Sequence, residues 1–147
     1  MIQRARPSDI DLLVALAAEF NEIDGHDHME SRVRAAIMPL LDDDSLGVVF
    51  LLGEPPDPEF RPRGYAVITW GYSIESGGRE ALLDEIYVRP RGQGFGGVVL
   101  EEILDDLRAR DLIRIFLETE RPNTQVRRFY SRYGFVEDDS IWMSRDL

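Results

Sequence analysis

A chain of 147 residues is of single-domain length and can bury a core without disulfide or metal staples. It carries no cysteine, which excludes disulfides, thiolate metal sites and a cysteine acyl-enzyme; its 17 basic residues are all arginine, which excludes lysine Schiff bases and a phosphate-loop lysine. The net charge of −11 argues against nucleic-acid binding; it suits a cationic substrate only weakly, and maintaining solubility is the better account of it on charge alone.

The opening MIQRARPSDID turns polar too soon for a signal peptide, and no later apolar run reaches membrane-spanning length, so the expectation is a cytoplasmic, membrane-free protein. Residues 1–6 predict a short strand. Pro7-Ser8-Asp9 then starts a helix in which Leu12, Leu13, Leu16 and Phe20 recur at helical spacing. A polar turn at 21–28 leads to a second helix at 29–41, containing Val33, Ile37 and Leu40 and ended by three aspartates. Residues 46–52 and 64–72 are β-rich apolar runs separated by GEPPDPEFRPR, whose prolines keep it out of a sheet. After the punctuation of 73–78, residues 81–88 predict a further strand and an antiparallel hairpin.

Phe95, Val99, Ile103 and Leu107 form the stripe of a third helix, with Arg108 and Arg110 at its negative end. Residues 113–117 predict a buried strand. Pro122 opens a helix carrying Val126, Phe129, Tyr130 and Tyr133, with Gly134 placed to end it. From Phe135 the chain is expected to return as strands, with Ile141, Trp142 and Met143 packed near the terminus. Strands cluster before residue 90, which favours hairpins within a mixed α/β fold over serial βαβ units.

The stretch RPRGQGFGG, residues 89–97, can be read in two ways. Gly92, Gly94 and Gly97 make the G-x-G-x-x-G of a dinucleotide-binding turn, whereas Arg91, Gly94 and Gly96 make R-x-x-G-x-G. In either reading a strand, glycines and a helix start make an anion site: backbone N–H groups point outward, the helix dipole is positive there, and absent side chains admit phosphate. The dinucleotide reading would make the chain a nicotinamide-dependent oxidoreductase. It requires the glycines in the first βαβ unit, yet about ninety residues precede them and about fifty follow, too few for the rest of a doubly wound sheet.

LLDEIYVRPRGQGFGGVVLEEIL resembles the coenzyme-A-binding motif of the GNAT N-acetyltransferase superfamily, and NTQVRRFYSRYGF resembles its following N-x-x-A-x-x-F-Y-x-x-x-G-F motif. RARPSDIDLLVAL is similar to a GNAT start. The two motifs stand in family order and at family spacing, with Val126 in place of alanine and two residues fewer between Pro90 and Arg91 than the family pattern has. The resemblance implies one domain over 1–147, an α+β fold with a mixed, mostly antiparallel twisted sheet of about six or seven strands flanked by about four helices. It implies acetyl-CoA as co-substrate, no metal, a small-molecule or peptide amine as acceptor, and a homodimer as a family-level expectation. A coenzyme-A-binding sensor or interaction module without turnover is the other outcome compatible with the shortened loop.

By the same resemblance, Arg91, Gly92, Gln93, Gly94, Gly96 and Gly97 surround the pyrophosphate, and main-chain groups of Ile86 and Val88 meet the pantetheine. Tyr130 matches the motif tyrosine that points toward the sulfur and can act as general acid, while its spacing alone also fits a core aromatic. Asn123 matches a motif asparagine near the cofactor, yet beside Pro122 it serves equally as a helix start. Asp84 and Glu85 are candidate bases. Strict alternation lets only one face the acceptor, and parity with Ile86 and Val88 together with the family's acidic position favours Asp84.

His26 and His28 lie in one turn without further ligands and read as a solvated loop rather than a metal site. Glu19, Glu22, Asp24, Asp27 and Glu30 crowd the same region and either attract an ammonium or form a solvated helix end. Arg127, Arg128 and Arg132 flank Tyr130 and are candidates for coenzyme A's phosphates or plain surface charge.

Overall fold

The computed structural model describes residues 1–54, 59–90 and 92–147. Arg91, expected at the pyrophosphate, lies outside the described residues. The chain forms two compact units, Met1–Leu117 and Glu118–Leu147.

The first unit is built on a five-stranded sheet in the order β1-β2-β3-β4-β5. Its strands are β1 (Ile2–Arg4), β2 (Gly47–Gly53), β3 (Pro62–Ser73), β4 (Gly78–Val88) and β5 (Arg114–Phe116). The first four pair antiparallel in sequence order, and β5 joins β4 in parallel. Every residue of β2 is buried, as expected of the GVVFLLG run at the middle of a sheet covered on both faces.

Helices α1 (Ile10–Asp24) and α2 (Glu30–Asp42) precede β2, and α3 (Phe95–Ala109) crosses from β4 to β5. Leu13, Leu16 and Ala17 of α1 and Ile37, Leu40 and Leu41 of α2 share a core cluster with Val49, Leu51, Tyr65, Val67 and Tyr87, one alternating face of β2, β3 and β4. The other alternating set, Val48, Phe50, Leu52, Ala66 and Ile68, is buried on the opposite face. The α3 stripe Phe95, Val99, Ile103 and Leu107 is buried as well, and α3 packs on β1 and β4. Burying a Leu or Ile side chain contributes about 1.5–3 kcal/mol, so these two layers supply most of what holds the sheet.

The polar turn at 21–28 is shorter than its composition implies: α1 runs on to Asp24 and ends at Gly25, whose φ of 70° is the left-handed cap that glycine adopts without strain. The antiparallel order excludes a doubly wound dinucleotide fold, since the glycine stretch follows the fourth strand of a meander rather than the first of a βαβ pair.

The second unit contains α4 (Thr124–Ser131). The expected C-terminal strands do not form among the described residues, so the sheet has five strands rather than six or seven. Ile141, Trp142 and Met143, expected near the core, are 89, 75 and 92% exposed. β5 is also shorter and less buried than the apolar run at 113–117 predicts, with Ile113 exposed. Among the described residues no helix is long and apolar enough to cross a membrane.

Candidate functional site

Strand β4 carries most of the site in the first unit. Its pairing with β3 is regular from Gly78 to Leu83, shifts register between Val67 and Ile68, and resumes at Glu85, which leaves Asp84 as an extra residue. Such a bulge breaks the alternation of side chains along the strand. The parity that favoured Asp84 therefore does not hold: Asp84 and Glu85 both line a cleft of about 500 Å³ against α2.

Their surroundings differ. Asp84 is exposed, whereas Glu85 is half-buried and accepts a hydrogen bond of 2.6 Å from the Tyr65 hydroxyl. Burial pushes the Glu85 carboxyl above its ordinary pKa. Asp84 and Asp24 push the same way, while the Tyr65 hydrogen bond and His26 oppose the shift. Tyr65 is fully buried, and its hydroxyl is held protonated by burial and by the Glu85 charge, so it serves as a fixed donor. Tyr65 meets Tyr87 edge to face at 6.3 Å, and Phe20 stacks on Tyr87 at 5.7 Å. These rings lock the rotamer of the donor.

Beyond Leu82, β4 parts from β5, for their parallel pairing covers only Glu80–Leu82 against Arg114–Phe116. At the far end, the Arg89 N–H donates to the Arg63 carbonyl at 2.9 Å. Main-chain groups in a strand alternate between its two neighbours, so those of Ile86 and Val88 point away from β3, toward the side that β5 has left. That free edge can take an extended, amide-bearing chain. Glu19 of α1 anchors the strand end, with Arg89 donating to its two carboxylate oxygens at 2.5 and 2.7 Å and the Tyr87 hydroxyl at 3.2 Å.

The glycine stretch then enters α3. Gly92 and Gly94 have φ of 86° and 81°, backbone that other residues rarely adopt, and Gly94 is the N-cap. Among the described residues no side chain caps this helix, and no acidic residue sits in its first turn. Gly97 donates to the Gly94 carbonyl at 3.1 Å, but the N–H groups of Phe95 and Gly96 precede any helical acceptor. Amides without a helical acceptor at the positive end of a fifteen-residue helix are suited to take an anion the size of a phosphate. Gly92, Gln93 and Gly94 are exposed and Gly96 is half-buried beside it.

In the second unit, Tyr130 is buried, and burial pushes its phenol up to about 12. It packs against Phe129 and Phe135, with ring centroids at 5.1 and 5.3 Å. Asn123 is the N-cap of α4 and accepts from the Val126 N–H at 3.2 Å, the helix-start role its neighbour Pro122 suggests. Arg127 pairs with Glu137 at 2.9 Å and donates to the carbonyls of Glu120 and Arg121, and Arg132 lies over Phe129 at 5.9 Å. Two of the three arginines flanking Tyr130 thus have local structural partners.

His28 contacts Asn21 at 3.2 Å, and no group of metal-binding side chains occurs among the described residues. What the sequence reading missed was the Tyr65 donor. A tyrosine within the apolar run GYAVITW reads as one more core aromatic, and its partner lies twenty residues on.

Comparison with known proteins agrees with this fold. The model of the acetyltransferase (GNAT) family matches residues 12–135. The integron cassette protein HFX_CASS3 from the mobile metagenome of Cole Harbour Salt Marsh is 28% identical, with a TM-score of 0.84 over 99% of this chain and 90% of that one. An Arthrobacter sp. FB24 protein described as a candidate acetyltransferase is also 28% identical, with a TM-score of 0.83 over 100% and 96%. A Clostridium acetobutylicum protein described as a predicted acetyltransferase, solved with acetyl-CoA, shares the fold at 20% identity, with a TM-score of 0.77 over 100% and 96%. No curated protein matches the sequence significantly. With a family model spanning both motifs and most of the chain, and this fold beneath it, the protein belongs to the acetyltransferase (GNAT) family.

Proposed function

We propose that the chain is a single acetyl-CoA-dependent N-acetyltransferase domain in which a primary amine, of a small molecule or a peptide, attacks the thioester directly within a ternary complex. One observation carries this reading. Glu85, a half-buried carboxyl raised in pKa, lines a cleft on the same strand whose free edge runs through Ile86 and Val88 toward the uncapped start of α3.

In this reading the diphosphate of the cofactor sits at the amides of residues 92–97, with the family's arginine position filled by Arg91. The pantetheine runs along the main chain of Ile86 and Val88. The ammonium of the acceptor gives a proton to ionised Glu85, directly or through water, and Asp84 adds negative charge nearby. The freed nitrogen bonds to the thioester carbon and gives up its second proton to water, the carbon–sulfur bond breaks, and the thiolate takes a proton from Tyr130, which recovers it from solvent. A carboxyl shifted toward neutrality is a stronger base than an ordinary one, the direction a general base requires.

A thiol-release assay with acetyl-CoA and a panel of primary amines tests the proposal. Amine-dependent release of coenzyme A, with an acetylated amine detected by mass, is the expected result. Binding of coenzyme A with no amine turned over would favour a sensor, and protection against heat by NAD(H) instead of acetyl-CoA would sink the reading. Tyr130→Phe is expected to lower kcat about tenfold with little change in acetyl-CoA affinity. A phenol at about 12 is protonated at neutral pH and so able to give the leaving sulfur its proton; in the phenylalanine variant water takes over, at the cost of the hydrogen bond to the charged sulfur, about 1.5 kcal/mol or about tenfold.

A further inference from the structure

The cleft beside β4 carries information about its occupant that the family does not. Its walls are apolar: Val33, Ala36, Ile37 and Leu40 from α2, Leu46, and Val67 from β3. Thr69 is the one uncharged polar side chain among the described lining residues, and the charges are the carboxylates Asp84 and Glu85, adjacent on the bulge. The same wall holds Ala35 and Pro39. Pro39 lies inside the helix and has no N–H, so the Ala35 carbonyl lacks its helical donor. Apart from the threonine hydroxyl, the polar side chains of the described lining residues are carboxylates. No cationic side chain lines the cleft among the described residues.

We propose that the acceptor is a primary amine carried on a compact apolar body, an aryl or cycloaliphatic methyl- or ethylamine, with its ammonium at Asp84 and Glu85 and its body along Val33, Ile37, Leu40 and Val67. A volume of about 500 Å³ is within the range of small-molecule sites. Aliphatic walls gain from an apolar body at about 25 cal/mol per Å² removed from water. They penalise the hydroxyls of an amino sugar or the second ammonium of a polyamine wherever these would be desolvated against Val33, Ile37, Leu40 and Val67, which offer no polar side-chain group. Net acidity attracts any cation, so discrimination falls to the walls.

The inference rests on the acetyltransferase reading for what happens to the amine, but its readout is amine binding, which needs no turnover. Calorimetric titrations of 2-phenylethylamine, cyclohexylmethylamine, spermidine and kanamycin, with and without coenzyme A, give the ranking. The apolar amines should bind at least tenfold more tightly than the other two. Ala36→Trp fills the cleft from an exposed helix position; it should weaken 2-phenylethylamine at least tenfold while acetyl-CoA binding reports an intact fold. Glu85→Gln should weaken both apolar amines. Tighter binding of spermidine or kanamycin, no binding of any amine, or indifference to Ala36→Trp would overturn the inference. Apolar amines that bind as stated but release no thiol from acetyl-CoA would instead overturn the acetyltransferase reading and leave this one standing.

Discussion

Glu85→Gln should lower kcat/KM by about 10²–10⁴-fold, the range a general base contributes, and should remove the acid limb of the pH profile. In the parent, activity rises with pH as Glu85 ionises, and because its pKa is raised the midpoint lies above the ordinary carboxylate value of 4.5. Glutamine keeps an oxygen to accept from Tyr65, so the buried hydroxyl stays paired and the packing is conserved. Tyr65→Phe supplies the opposite control. It removes the hydrogen bond that lowers the Glu85 pKa, so the limb should move to higher pH while the activity on the plateau falls far less than in Glu85→Gln.

The stability consequence has a definite sign. A carboxyl whose folded pKa is raised favours the fold while protonated, and that contribution is lost as pH rises through the folded value. At pH 8 the glutamine variant should therefore unfold at a temperature no lower than the parent's, although its activity has collapsed. Thermal unfolding beside the pH–rate profile checks both. A glutamine variant that keeps its rate and its acid limb would remove Glu85 from the reaction.

How much of this was legible in the residues depends on what each signal needs from the rest of the chain. Helices α1 and α3 were readable because an apolar stripe at helical spacing is a local property, and so was the turn into α3, because left-handed backbone before a helix start is written in the glycines themselves. The bulge was not. Alternation along ALLDEIYV is a statement about one strand, whereas the register shift belongs to the pair of strands. The two adjacent carboxylates were its available trace, since a regular strand would turn one of them toward the buried face. The same limit explains Ile141-Trp142-Met143. β-propensity becomes structure only where a neighbouring strand supplies the ladder, and that tripeptide is not in a strand.

The second large effect is expected at the start of α3. Gly94→Asp should weaken acetyl-CoA binding about 100-fold at low salt, whereas Gly94→Asn should change it only a few-fold. Gly94 has φ of 81°, and a Cβ added there meets nothing within 4 Å, so the residue is required for its backbone and not for space. Asn and Asp tolerate left-handed backbone better than other side chains and differ little in size, so the pair isolates charge from strain. A carboxylate about 6 Å from a diphosphate charge repels it by about 3 kcal/mol at an effective dielectric of about 20, or about a factor of 100. The same carboxylate also competes for the amides of Phe95 and Gly96. Mobile ions screen this repulsion, so the difference between the two variants should shrink as salt is raised from about 0.01 to about 1 M in steps of about tenfold, over which the Debye length falls from about 30 to about 3 Å. Calorimetry across that series checks it: equal affinities for the aspartate and asparagine variants at low salt would place the cofactor's phosphates away from this helix.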